Sequence, residues 1–458
     1  MHPTIFVIFG VTGDLSLRKL IPALLAFYAK KMLPNKFAIV GFSRRSFTRE
    51  EFRELIRTGM HVKPGEYHEE DVKHFLDHMT YEQGVFNEPT AYARLASRVA
   101  DIDNRWGQCS NKLYHLSVPP SLYGTILNNL ASSALNKPCD DATGWTRVLI
   151  EKPFGNDLET ARELDAILGK LFTEEQIFRI DHYLAKEALQ NILAFRFYNA
   201  MFEPIWRREH VEKVHVKLFE SIGVEDRGDT YDTVGALKDV GQNHVLMMLA
   251  TIAMDRPKTF TAADIRRERA RVLSKLSPVT TSAAKDCNVR GQYDGYVAEK
   301  GVDPKSQTET YFRLRSSVGS SRWKGVPFYL ESGKALGEAK TEIDVYFKPF
   351  AKDGEQNILT FRIQPDEGIK VKFFVKTPGY EFKIEPKTLK FKYAEQAAPD
   401  WHVKLSDYER LIHDAFVGDQ TLFAATEEIM ASWKFVSAVL KGWNKLPLIT
   451  YPKGAKEI

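Results

Sequence analysis

The chain has 458 residues, 43% of them hydrophobic and 27% charged, with 64 basic against 60 acidic side chains and a formal charge of +4. That length exceeds one ordinary domain and supports sizeable cores, and the near balance of charge removes any global electrostatic argument for nucleic acid. Cys109, Cys139 and Cys287 are too few and too scattered for a disulfide framework or a zinc site, so reduced thiols and a cytoplasmic setting are expected.

The N-terminus enters a strand-like run at 4–9 without a basic leader, so no signal peptide is expected. Up to residue 180, strand candidates at 4–9, 37–42, 112–118, 147–151 and 176–180 alternate with helix candidates at 16–31, 48–57, 90–106, 121–133 and 158–171. Such alternation predicts parallel βαβ units, hence a doubly wound, Rossmann-like α/β domain over 1–180. A helix at 184–200 then leads to a strand at 211–220, and helices follow at 237–254 and 262–275. The Gly/Tyr-rich stretch 290–302 reads as a loop. Strands with period two or aromatic enrichment come next, at 309–316, 326–332, 342–347, 357–363 and 369–376, and helices at 407–416 and 427–443 close the chain. The expected second domain, 181–458, is a larger α+β unit with a mostly antiparallel sheet. The longest apolar runs, such as 245–253, fall far short of a membrane span, so no membrane contact is expected.

Three strings sit where a doubly wound sheet binds nucleotides. Gly10-Val11-Thr12-Gly13 follows the first strand and opens a helix, with Arg18 and Lys19 close behind. Glycines there let the backbone approach a pyrophosphate, and the helix start offers free N–H donors. The first glycine of the full fingerprint is missing (Ile8 stands there), and a plain structural turn is the alternative. The second strand ends in Arg44-Arg45, where an acidic residue would read a ribose 2′-hydroxyl; arginine favours a 2′-phosphate and hence NADP, against the alternative of two solvated arginines. Glu151-Lys152-Pro153-Phe154-Gly155 places a lysine at the end of another parallel strand, or else forms an ordinary surface turn.

The richest string is Arg179-Ile180-Asp181-His182-Tyr183-Leu184-Ala185-Lys186-Glu187, an acid, an imidazole, a phenol and an amine between a strand and an amphipathic run. On a helix His182 and Lys186 share one face, and cations beside a helix N-terminus suit a phosphate. The basic run Arg266 to Arg271 reads as a solvated helix face rather than a nucleic-acid patch, and no metal-ligand spacing appears, so neither nucleic acid nor metal is expected.

Together these strings resemble glucose-6-phosphate dehydrogenases. GVTGDLSLRKLIPAL, EKPFG and RIDHYLAKE match that family, as do TYDTVGALKDVGQNH, VRGQY, GVPFYLESGK and YERLIHDAFVGDQTLF, in family order along nearly the whole chain. The resemblance implies oxidation of the anomeric carbon of glucose 6-phosphate to the lactone, with hydride transfer to NADP and a homodimer or homotetramer as the assembled form. It implies His244 as general base and Asp181 as its partner. His182, Tyr183 and Lys186 would hold the sugar phosphate, while Glu220, Asp239 and Lys334 fall on sugar-binding positions. Gly10, Thr12, Gly13, Lys19, Arg44, Arg45, Tyr123 and Lys152 fall on the coenzyme side, with Lys19 and Lys152 also within the family's reach of the sugar. The family's usual glycine in RIDHYLGKE is Ala185 here, and its second cation, five residues after Lys334, is Ala339, with Lys340 next in line.

The chemistry suits these residue types. Oxidising a hemiacetal needs a hydride acceptor and a base of near-neutral pKa, and a carboxylate partner fixes the imidazole tautomer and stabilises the imidazolium. Taken singly, each residue has a plain alternative: His244 as a satisfied core histidine, Asp181 and Asp239 as helix caps, Glu220 as a solvated strand end, Lys186 as a surface lysine. A related sugar-phosphate dehydrogenase with a shifted substrate, and a catalytically silent NADP-binding sensor, are the competing functions.

Overall fold

A computed structural model of the protein describes residues 2–63, 65–138, 144–278, 288–349, 354–396, 405–443 and 446–458. The chain divides into two units, residues 1–155, 159–182 and 405–424 in the first, and 156–158, 183–404 and 425–458 in the second. The sequence reading placed the whole of 181–458 in one domain; the stretch 405–424 instead returns to the first unit.

Six parallel strands build the first unit: β1 (Thr4–Phe9), β2 (Phe37–Ser43), β3 (Met79–Gln83), β4 (Asn111–Leu116), β5 (Thr146–Ile150) and β6 (Ile177–Ile180). Their spatial order is β6-β5-β4-β1-β2-β3, so the winding reverses between β1 and β4. In such sheets the crevice at the carboxyl ends of the strands at that reversal receives the nucleotide. β1, β2 and β4 are buried at every position, as expected of parallel strands covered on both faces. The crossovers carry α1 (Ile21–Ala29), α2 (Arg49–Gly59), α3 (Glu69–Asp77), α4 (Pro89–Trp106), α5 (Tyr123–Ser132) and α6 (Leu158–Leu171). α2 starts on a capping box in which Thr48 and Glu51 satisfy each other's backbone N–H groups.

The second unit opens with α7 (Glu187–Tyr198) and is built on a ten-stranded sheet of β7 (Val211–Phe219), β8 (Leu276–Pro278), β9 (Val289–Tyr293), β10 (Tyr311–Val318), β11 (Pro327–Gly333), β12 (Lys340–Phe347), β13 (Ile358–Gln364), β14 (Gly368–Lys376), β15 (Ile384–Lys392) and, after the short β16 (Phe423–Ala424) of the first unit, β17 (Leu448–Tyr451). Most neighbours are antiparallel, but β7 pairs with β11, and β9 with β17, in parallel. β7 shows the alternation of a half-covered strand, with Val214, Val216 and Leu218 buried. The helices of this unit are α8 (Gly228–Tyr231), α9 (Leu246–Ala253), α10 (Ala262–Ser274) and α12 (Thr426–Trp443); α9 is apolar on all sides apart from Thr251 and buried throughout.

The segment that returns to the first unit, α11 (Asp407–Val417) with β16, is tied down by polar contacts. Arg147 donates to the carbonyls of Ala415 and Phe416 at 2.7 and 2.8 Å, Gln420 donates to those of Glu174 and Ile177, and β16 pairs antiparallel with β6.

Several expectations need correction. The stretch 290–302 holds a strand, β9, between β10 and β17; its partners come from far along the chain. The Arg266–Arg271 run is not simply a solvated face. Arg266, Glu268 and Arg269 are buried, and Arg269 Nε donates to Glu428 of α12 at 2.6 Å. Cys109 is disulfide-bonded, contrary to the expectation of reduced thiols, and Cys139 and Cys287 lie outside the described residues.

At the reversal point, Gly10 adopts φ +78°, donates its N–H to the Phe42 carbonyl at 2.8 Å, and leaves no room for a side chain: a Cβ there would lie 2.1 Å from the Ser117 carbonyl oxygen. Gly10→Ala is therefore expected to lower the unfolding free energy by about 1–3 kcal/mol and to weaken coenzyme binding. Urea unfolding, paired with coenzyme titration of the folded fraction, checks both.

Candidate active site

In the first unit the candidate coenzyme-side residues Gly10, Thr12, Gly13, Arg44, Arg45 and Lys152 follow strand ends. After Gly10, the Gly13 N–H donates back to the Gly10 carbonyl at 2.9 Å and Ser16 Oγ donates to the same atom at 3.1 Å, which closes a tight turn. The turn leads into a π-helical segment, Ser16–Leu20, that continues as α1. Thr12 and Gly13 are partly exposed, and Lys19 is exposed. Arg44 and Arg45, just past β2, have exposed side chains on an anchored backbone: the Arg44 carbonyl accepts from Gln83 Nε2 at 3.4 Å and the Arg45 carbonyl from the Tyr81 hydroxyl. This geometry fits a dinucleotide, with backbone close approach at the glycine turn and two cations at the end of the neighbouring strand.

Lys152 follows β5 and is half-buried, with a cis bond to Pro153. Its predecessor Glu151 is held from three sides: its carbonyl accepts the Tyr123 hydroxyl at 2.9 Å, its Oε1 accepts the Tyr408 hydroxyl at 3.0 Å, and the same oxygen lies 3.2 Å from His115 Nε2. Tyr123 thereby takes a different place from the one expected of it. At 1% exposure it sits under the strand end as a support and presents no surface to a coenzyme.

Asp181 is buried and His182 half-buried directly after β6, in the first unit. The expected helix does not start here. Residues 182–185 form turns, the Lys186 N–H donates to the Tyr183 carbonyl at 3.1 Å, and Lys186 is the N-cap of α7. His182 and Lys186 therefore do not share a helix face; the intervening turns set their directions.

In the second unit, Tyr183 and His244 stack, with ring centroids 4.2 Å apart and planes at 26°. The Tyr183 hydroxyl accepts from Gln364 Nε2 at 3.1 Å, and the Lys186 ammonium stands 5.4 Å from the Tyr183 ring centroid. His244 is 2% exposed and lies on a π-helical segment, Leu237–Val245, that runs into α9. Asp239 is on the same segment, five positions earlier. In an α-helix such residues would point about 140° apart; the i→i+5 bonding of a π-helix brings them towards one side, and π-segments recur at functional sites.

Glu220 and Lys334 are brought together by sheet topology. β7 and β11 run parallel, with Phe219 opposite Gly333, so the residues just past their ends lie side by side. The Lys334 ammonium, 2% exposed, is 2.6 Å from Glu220 Oε2, 4.0 Å from Asp239 Oδ2 and 5.4 Å from the centroid of the Tyr231 ring. The two carboxylates keep 30% and 22% of their side-chain surface, enough to accept hydroxyl groups while the buried cation holds them. Lys340, the candidate stand-in for a cation at Ala339, is engaged elsewhere: it pairs with Glu338 at 3.1 Å and Glu342 at 3.7 Å and lies over the Phe219 ring.

One residue of this neighbourhood escaped the sequence reading. Glu309, 7% exposed, accepts the Leu237 N–H at 3.0 Å at the start of the π-helical segment. Its only sequence signal is an acid in the polar lead-in to an aromatic strand, which reads as a solvated strand start. Burial pushes its carboxyl up to about 7 from an ordinary 4.5. The folded chain thus binds this proton more tightly than the unfolded chain. The associated stability is complete below pH 4.5 and is lost as pH rises to about 7, a loss of about 3 kcal/mol at 1.36 kcal/mol per unit. Relative to the unaltered chain, Glu309→Gln is expected to flatten the stability slope across that window and to gain stability above it, as read by urea unfolding at a series of pH values.

Comparisons with known proteins agree with this geometry. Residues 7–191 match the family profile "Glucose-6-phosphate dehydrogenase, NAD binding domain", and residues 193–457 match "Glucose-6-phosphate dehydrogenase, C-terminal domain". The chain is 42% identical over 449 residues to the glucose-6-phosphate 1-dehydrogenase of Aggregatibacter actinomycetemcomitans, covering 95% of this chain and 90% of that protein. It is similar to a solved glucose-6-phosphate dehydrogenase in complex with its substrate glucose 6-phosphate, with TM-score 0.91, 32% identity and coverage of 100% and 96% of the two chains. The glucose-6-phosphate 1-dehydrogenase from Mycobacterium avium matches with TM-score 0.84 and 31% identity, covering 99% and 95%. No helix among the described residues is long and apolar enough to cross a membrane. The chain belongs to the glucose-6-phosphate dehydrogenase family.

Proposed function

We propose that His244 is the general base for oxidation of glucose 6-phosphate, with Asp181 as its partner, and that Glu220, Asp239 and Lys334 bind the sugar. NADP, when bound, accepts the hydride from C1. As that hydride leaves, His244 takes the proton of the C1 hydroxyl, and the products are the lactone, NADPH and a proton. A carboxylate partner fixes the imidazole tautomer and stabilises the imidazolium that forms. The observation that carries this reading is the buried Lys334 beside Glu220 and Asp239, with Asp239 on the same π-helical segment as His244. The stacking of Tyr183 on His244 supports the choice of Asp181, which stands two positions before Tyr183 in the chain.

His182, Tyr183 and Lys186 are proposed to hold the 6-phosphate. That group does no chemistry, but its binding energy can hold C1 in place for transfer. Gly10, Thr12, Gly13, Lys19, Arg44, Arg45 and Lys152 are proposed for the coenzyme side, the two arginines answering a 2′-phosphate. The proposed assembly is a homodimer or homotetramer; Tyr380, Phe382, Ile384 and Leu389, exposed between and along β14 and β15, are apolar surface that a second copy would cover. A cytoplasmic location is proposed on the substrate alone, since a bridge such as that at Cys109 is rare in reducing compartments.

Steady-state kinetics test the assignment. His244→Asn is expected to lower kcat by about 10²–10⁴-fold with a small change in KM for glucose 6-phosphate, whereas Lys186→Ala is expected to raise that KM by about tenfold or more with a smaller effect on kcat. Equal effects on both parameters in both variants would count against the division of roles. Replacing Arg44 and Arg45 together by Ala is expected to raise KM for NADP by about ten- to a hundredfold while leaving that for NAD nearly unchanged.

A further inference from the structure

Gly235 lies in a family-like stretch and Glu309 and Thr310 lead into β10, yet the proposed chemistry uses none of them. Glu309 meets the π-helical segment twice. Its carboxylate Oε1 accepts the Leu237 N–H at 3.0 Å, and its backbone carbonyl accepts the Ala236 N–H at 3.0 Å. The carboxylate fills the notch left by Gly235, at φ +75°, where a Cβ would lie 2.6 Å from Glu309 Oε1. The next residue holds the other side of the site: the Thr310 carbonyl accepts the Lys334 N–H at 2.9 Å. One short stretch at the entry to β10 therefore binds the start of the segment bearing Asp239 and His244, and also the backbone of Lys334.

We propose that Glu309 is a positioning residue for the dehydrogenase reaction, fixing the start of the π-helical segment so that Asp239 meets Lys334 with the spacing the sugar requires. This rests on the sugar-binding reading of Asp239 and Lys334 given above. The first N–H groups of a helical segment lack intrahelical partners, so a buried acceptor at Leu237 decides where the segment begins. A buried carboxylate there also meets the positive end of the helix dipole. Shifting the start of a π-segment by a fraction of a turn moves Asp239, two residues on, more than it moves the coenzyme-side residues of the first unit, which belong to other elements.

Three variants test the role. Glu309→Gln keeps an acceptor of the same reach and is expected to retain KM and kcat within about twofold. Glu309→Asp keeps the charge but draws the carboxylate back by one methylene, and Glu309→Ala removes it. Both are expected to raise KM for glucose 6-phosphate and to lower kcat/KM by about ten- to a hundredfold, with KM for NADP unchanged. Glu309→Asp carries the test should the alanine variant fail to fold. In a double-mutant cycle, Glu309→Asp and Asp239→Asn are expected to be non-additive. Normal kinetics for Glu309→Asp alongside an impaired Asp239→Asn overturn this inference alone; normal kinetics for Asp239→Asn overturn the site reading and this inference with it. A rise in KM for NADP equal to that for the sugar would mark a general structural defect and also overturn it.

Discussion

The Lys334 ammonium is 2% exposed and stands 2.6 Å from Glu220 and 4.0 Å from Asp239, and the cluster proposed to bind the sugar is organised around it. An ammonium removed from water is costly unless partners answer it, and removing one partner of a buried pair leaves the other stranded. Here two carboxylates answer one lysine, so the cluster carries an excess negative charge whose outer surface remains accessible. Such an arrangement suits a polyhydroxylated ligand: the hydroxyl groups donate to acids already oriented, and the ordering cost is met on folding rather than on binding.

Three different backbone devices bring those groups together. Parallel pairing of β7 with β11 aligns two strand ends and so sets Glu220 beside Lys334. The π-helical widening of 237–245 turns Asp239 towards the side occupied by His244. The entry to β10, through Glu309 and Thr310, holds the other two devices by hydrogen bonds of about 3 Å. Glu309 in this role is expensive to bury, since its carboxyl is pushed up to about 7. A sequence chosen only for stability would place an apolar residue or glutamine there, and departures of that kind concentrate where a site imposes its own requirements.

Elements with strong local periodicity were legible in the sequence: β1, β2, α4, α6, α12 and the β10 to β14 run fall where the pattern puts them, within a few residues. The missed elements lack a local signal. α3 is short and carries only Val72, Phe75 and Leu76 as buried positions; β15 is exposed along most of its length and contains Pro386; β9 and β17 are each other's partners across more than a hundred and fifty residues. The return of 405–424 to the first unit is equally non-local, because its anchors are Arg147 and the carbonyls of Glu174 and Ile177. Motifs named most of the candidate site, yet they could not say that Lys186 is an N-cap, that Tyr123 is buried, or that the segment bearing Asp239 and His244 is π-helical. Those properties depend on turn geometry and packing that residue types alone do not encode.

The departure at Ala339 shows how strand geometry decides whether a neighbouring residue can substitute. A cation at 339 would stand in the loop between Lys334 and β12, free to turn towards the strand ends. Moved one position on, Lys340 becomes the first residue of β12, and alternation puts it on the same face as Glu342. Its ammonium is accordingly taken up by Glu338 and Glu342, with its stem across Phe219. Glu342 is in turn held by Arg362 at 2.9 Å and lies 3.4 Å from Lys217, so withdrawing Lys340 from that network towards a ligand would break pairs already made on a partly buried sheet face. A lysine so committed contributes little to a sugar phosphate. In the proposed reading the cationic grip falls instead on Lys186, at the N-cap of α7, and on Lys334, whose carboxylate partners are the proposed sugar ligands Glu220 and Asp239.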